Sequence, residues 1–261
     1  MILATDGDFN VGASSDAEME RLIEEKRKEG VFLTVLGYGM GNYKDNKLEL
    51  LANKGNGNYA YIDSLAEALK VLVSEMGGTL LTVAKDVKLQ LELNPAKVKS
   101  YRLIGYENRL LAAEDFDNDA KDAGELGAGH TVTALYELIP ADPKAAQEQS
   151  LTYSETKIKE GAYTSNDLLS LKLRYKQPNS ETSQLISQSV TDSKKLWSES
   201  SINMHFAASV AGFGMLLRNS EYKGNLNYEQ VLKLGREGLG QDAEGYRKAY
   251  LELVQKAAQL K

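Results

Sequence analysis

Thr5-Asp6-Gly7-Asp8 sets two carboxylates two residues apart, just beyond the apolar run Ile2 to Ala4. A carboxylate at the point where a buried parallel strand gives way to a loop stands where open α/β sheets bind their ligands. Asp6 there can be an oxygen ligand for a hard divalent cation. Asp6 and Asp8 together can also act as the attacking and proton-handling acids of a phosphatase. The plain alternative is a turn acid capping its own backbone. A second acidic run, Asp115-Phe116-Asp117-Asn118-Asp119, matches positions one, three and five of a calcium loop. Ala120 replaces its turn glycine and Leu126 its bidentate glutamate, so a solvated acidic hairpin loop is the better reading, with Asp115, Asp117 and Asp119 as weak ligands. Gly37-x-Gly39-x-Gly41 follows a strand as a dinucleotide loop does, but Asn42 stands where the third glycine belongs. His130 and His205 lie 75 positions apart, with no second ligand at metal spacing, and read as structural.

Alternating elements must position these groups. Residues 1 to about 80 read as β-α-β-α-β-α, with apolar runs at Ile2 to Ala4, Val31 to Leu36 and Tyr59 to Ile62. Such alternation builds a parallel sheet with helices on its faces. Ser15-x-x-Glu18 and Ser64-x-x-Glu67 mark helix starts, and the stripes Met19, Leu22, Ile23 and Leu65, Leu69, Leu72, Met76 are expected to cover the sheet. The first strand is apolar on both faces from its first residue, so the chain is expected to begin inside this domain. Uncovered, residues 2–5 would offer an edge on which two copies can pair as a homodimer.

From about residue 81 the period becomes two. In KDVKLQLEL, Val87, Leu89, Leu91 and Leu93 face one way and Lys88, Gln90 and Glu92 the other, which predicts antiparallel strands of a β-sandwich-like region. Residues 177 to 195 read as an edge strand or a linker. From about 197 three helices follow, the first striped by Ile202, Phe206, Val210, Phe213 and Leu217. The expected parts are thus 1–80, α/β; 81–196, β; and 197–261, helical, the last possibly packed with the second as one domain.

Composition narrows the function. A chain of 261 residues, 42% hydrophobic, buries a sizeable core. Its net charge of -6, with no basic run, argues against nucleic acid. Without cysteine there is neither a disulfide nor a thiolate zinc site. No stretch reaches the ~20 apolar residues of a membrane span.

Thr5-Asp6-Gly7 before a long capped helix, then VFLTVLGYG and the GNGNYAYIDS passage, resembles the second half of a von Willebrand factor type A domain, in particular that of bacterial YfbK-like proteins. YRLIGYENRLL, DAGELGAGH leading into TVTALYE, and FAASVAGFGMLLR followed by SEYKG resemble the C-terminal region of the same group, so the likeness covers nearly the whole chain. It implies a non-enzymatic protein-interaction or adhesion/scaffolding module of the bacterial cell envelope or periplasm, with a purely structural interaction protein without metal as one alternative. In that family a metal-ion-dependent adhesion site (MIDAS) draws on an Asp-x-Ser-x-Ser motif, a threonine from a later loop and the Asp of Thr-Asp-Gly. Only the last has a match here, with Asp6 in the role, since Ser14-Ser15-Asp16 stands at a helix start. The resemblance therefore implies Mg²⁺ in an intact domain, weak or absent here, and a protein ligand that offers an acidic group. The phosphatase alternative resembles haloacid dehalogenases, but it wants Thr or Val where Asn10 stands and a later Asp-Asp pair that residues 11 to 80 lack.

Overall fold

The computed structural model describes residues 1–7, 15–40, 43–106, 110–142 and 157–260. Three parallel strands, β1 (Ile2–Thr5), β2 (Leu33–Gly37) and β3 (Asn56–Tyr61), form a sheet in the order β1-β2-β3. The central strand is buried at all five positions, which is why its sequence has no polar alternation. Helices α1 (Asp16–Lys28) and α2 (Asp45–Lys54) cover one face, where Met19, Leu48, Leu51 and Ala52 pack on Leu33 and Val35. Ser15 and Ser64 start their helices as expected, each hydroxyl accepting the amide three residues on, Glu18 at 3.3 Å and Glu67 at 3.2 Å.

The opposite face is covered differently from the expectation. A single helix with Leu65, Leu69, Leu72 and Met76 on the sheet is replaced by α3 (Leu65–Leu69), a π-helical turn (Lys70–Ser74) and α4 (Met76–Leu80). Ala68, Val71 and Leu72, at i, i+3 and i+4, form the covering face instead, with Val71 buried against Leu36 and Ile62. Leu65 and Leu69 are left 77% and 54% exposed.

The antiparallel part consists of a four-stranded sheet in the order β6-β4-β8-β9 and a two-stranded sheet. The four strands are β4 (Thr82–Leu93), β6 (Gly124–Gly127), β8 (Asp167–Lys176) and β9 (Ser183–Thr191); β9, inside the stretch read as edge strand or linker, is an edge strand. The two-stranded sheet joins β5 (Val98–Ile104) to β7 (Leu135–Pro140). A short helix, α5 (Glu160–Thr164), precedes β8.

Along β4 the expected wet and dry faces are locally reversed. Lys88 is buried and Leu89 is 43% exposed. The cause is the chain at residues 115–118, whose carbonyls close over that face and take the Lys88 ammonium.

Three helices end the chain, α6 (Ile202–Leu217), α7 (Tyr228–Glu237) and α8 (Tyr246–Gln259). They share a core of Phe213, Leu216, Val231 and Val254. The chain divides into two compact units, Met1–Glu92 with Leu111–Val132 and Leu171–Gln188, and Leu93–Leu110 with Thr133–Ser170 and Ser189–Lys261. Among the described residues no helix is long and apolar enough to cross a membrane.

Candidate functional site

Thr5, Gly37 and Tyr61 are register partners across the parallel sheet. The ladder continues one step further, Tyr38 donating its amide to Thr5 and Ile62 donating to Gly37. Asp6 and the residues after Gly37 and Tyr61 therefore leave the sheet together at its carboxyl edge. Asp6 is exposed there, beside the loop after β2, since a Cβ at Gly39 would lie 3.7 Å from the Cβ of Asp6. The turn beneath it is fixed by Gly7, whose φ of +88° suits glycine and whose amide donates to the Thr5 hydroxyl at 3.1 Å. Gly7 is buried, and Lys44 would stand 3.4 Å from any Cβ placed there.

A tyrosine cluster supports this edge. Tyr61 donates to the Gly39 carbonyl at 2.6 Å and packs on Tyr43 with ring centroids 4.9 Å apart. The Tyr43 hydroxyl meets that of Tyr59, and Tyr59 donates to Asp45 at the start of α2. Burial pushes both Tyr43 and Tyr59 above the ordinary phenol value; for Tyr59 the hydrogen bond to Asp45 adds to the rise. Nothing in the local sequence pairs these tyrosines, because they converge from different elements. The remaining surface at this edge includes Met40, 90% exposed, and Tyr61, 37% exposed.

Other acidic groups are engaged by basic side chains. Arg174 pairs with Asp117 at 2.6 Å and Asp119 at 3.1 Å, and Lys121 with Asp115 at 3.1 Å. The Ser183 hydroxyl also donates to Asp119, and this bond, above all, holds the Asp119 carboxyl below the usual range. Lys88 donates to the carbonyls of Asp115 and Asn118, and Lys176 to that of Asp119 and to the Asp86 carboxylate. Protein ammonium and guanidinium groups thus occupy the oxygens that the calcium-loop reading would turn toward an ion.

A second acidic group, absent from the sequence reading, gathers Asp86, Asp122 and Glu125. Arg27 pairs with Asp122 at 2.8 Å, and the Asn56 amide donates to Glu125 at 3.1 Å. Burial pushes Glu125 up to about 7, with Asp86 and Asp122 adding to the rise. Its Oε2 is buried with no hydrogen-bond partner among the described residues.

Asp8 and Asn10 of the phosphatase reading, and Gly41 and Asn42 of the dinucleotide reading, lie outside the described residues. Among the described residues no group of three or more His, Cys, Asp or Glu comes together in a way that holds a metal. His205 has a carboxylate partner that local spacing does not disclose, Glu237 of α7, at 3.0 Å.

The chain is 42% identical over 257 residues to a protein of Escherichia coli (strain K12) described as "Uncharacterized protein YfbK", an alignment covering 98% of this chain and 44% of that protein. The chain thus spans less than half the length of this relative. Among solved structures, a von Willebrand factor type A protein from Catenulispora acidiphila aligns over 95% of this chain and 57% of its own, with a TM-score of 0.36 and 15% identity. The family described as "Uncharacterized protein YfbK, C-terminal" matches residues 78–260, more than half of the chain. The chain belongs to the YfbK C-terminal family.

Proposed function

We propose that this chain is a non-catalytic protein-interaction module of the bacterial cell envelope, and that its partner docks on the carboxyl edge of the parallel sheet around Asp6. The observation that carries the reading is the make-up of that edge: an exposed carboxylate beside exposed Met40 and Tyr61, over a tyrosine cluster that is hydrogen-bonded within itself. Methionine and tyrosine around a polar centre are the residue types enriched at protein interfaces. The tyrosines support a binding role over a chemical one, because burial moves Tyr43 and Tyr59 away from the range in which a phenol acts as a base.

In an intact domain of the von Willebrand type, Asp6 would give one oxygen to a Mg²⁺ ion. The described residues bring together too few ligands to fit a hard cation on their own, so no step of this reading passes through a metal. Among the described residues β1 pairs with β2 alone, and this edge position supports a second copy of the chain as a further partner.

The test replaces Met40 with a photo-crosslinking phenylalanine analogue in the intact protein inside bacterial cells, with Glu252 on α8 as the control position. The reading expects a discrete adduct from Met40 that is lost with Asp6→Ala. Adducts from Glu252 alone, or a Met40 adduct indifferent to Asp6→Ala, would overturn it.

A further inference from the structure

His205 sits on α6 with only 9% of its surface exposed. Its Nδ1 lies 3.0 Å from a carboxylate oxygen of Glu237, and its Nε2 lies 3.2 Å from the backbone carbonyl oxygen of Trp197. A carboxylate and a carbonyl both accept and have no proton to give. Both contacts are hydrogen bonds only when both ring nitrogens carry a proton, which is the imidazolium form. The Trp197 indole stacks on the same ring, centroids 4.8 Å apart and planes 23° from parallel, as suits a cation on an aromatic face.

The neighbouring charged groups leave this pairing to Glu237. Glu199, in the turn Trp197–Glu199, accepts the Leu196 amide at 2.8 Å. Arg247 of α8 lies over the Phe206 ring and donates to the Gly238 carbonyl and to Asn203. The turn continues directly into α6, whose N-cap is Ser201, and the Trp197 carbonyl also accepts the Ser200 amide at 3.0 Å and hydroxyl at 2.7 Å, so the His205 ring is what ties it to α7.

We infer that His205 is a proton-operated latch. As the imidazolium it pins the Trp197 turn to α6 and α7. Loss of the Nε2 proton sets a lone pair against the Trp197 carbonyl and frees the turn from the ring, whereas loss of the Nδ1 proton parts the ring from Glu237. With its neutral ring, His205 can keep only one of the two contacts.

Trp197 is the single tryptophan of the chain and His205 one of two histidines, so both halves of the latch give unobscured signals. Ring nitrogen NMR of the unmodified protein at about pH 6 is expected to show His205 with both nitrogens protonated. Raising the pH from about 5 to 9 is expected to raise Trp197 emission as stacking on the imidazolium is lost, a transition absent from His205→Gln. A His205 ring carrying a single proton at the lower pH, or the same emission change in His205→Gln, would overturn the inference. The NMR measurement stands even if that variant fails to fold.

Discussion

The hydroxyl of Tyr43 fills the space that a side chain at Gly37 would need: a Cβ there would lie 1.7 Å from the oxygen and 2.6 Å from the ring carbon that bears it. Gly37→Ala must therefore expel Tyr43 from its contact with Tyr59, at a cost of about 1 to 3 kcal/mol. Chemical denaturation measures it. In a Tyr43→Leu background the same change is expected to cost much less, because the two positions share one space. Equal costs in both backgrounds would remove Tyr43 from the account of this edge.

Glu125 predicts a pH dependence with a definite sign. Its carboxyl holds a proton up to about 7 in the folded protein, against an ordinary 4.5. Between those values the unfolded chain has released the proton and the folded one has not, so stability falls as pH rises through the window and levels off above it. The loss is on the order of 1 to 3 kcal/mol, reduced by the part of the group that reaches solvent. Denaturation at pH 5 and pH 8 should show this fall in the unmodified protein and a smaller one in Glu125→Gln. A difference between the two proteins that does not change with pH would contradict the assignment.

Lys88 donates to two loop carbonyls, at 3.1 Å from Asp115 and 2.5 Å from Asn118. Lys88→Met keeps the stem and deletes the donor, and is expected to cost about 1 kcal/mol, because the two carbonyls keep the amides of Asn118 and Lys121 as partners. Calcium titrated onto the unmodified protein should leave its melting temperature unchanged, because Arg174 and Lys121 already hold the loop carboxylates. A calcium-dependent rise lost with Asp117→Asn would revive the ion-loop reading.

Magnesium offers a separate check on Asp6. At about 10 mM Mg²⁺, a site with a millimolar Kd would stabilise the fold by about 1 kcal/mol. With so few ligands gathered among the described residues of this edge, the melting temperature of the chain is expected to stay within about 1 °C of its metal-free value. A larger rise, abolished by Asp6→Ala, would show that the carboxylate works in a complete coordination shell.

The parallel sheet was legible because a strand buried on both faces has no polar positions to confuse its period, and because Ser15 and Ser64 announce the helices. Asp6 was legible for the same reason, as the first acid beyond an apolar run. The stripe from Leu65 to Met76 misled because a neighbouring stripe, Ala68, Val71 and Leu72, has the same helical spacing and is the one that meets the sheet. Lys88 misled because two-residue alternation cannot foresee a loop returning about thirty residues later to cover the polar face. Tyr43 with Tyr59 and Asp45, Asn56 with Glu125, and His205 with Glu237 stayed hidden because each joins elements that only the tertiary fold brings together.

A partner bound at the edge around Asp6 should lose affinity when that carboxylate is removed. Titration calorimetry of the partner captured from position 40 should show Asp6→Ala weakening the complex by about tenfold or more, roughly 1.4 kcal/mol. Glu252→Ala, on the exposed side of α8, should leave the affinity unchanged. Equal affinities for the unmodified protein and Asp6→Ala, each with its fold intact, would contradict the account.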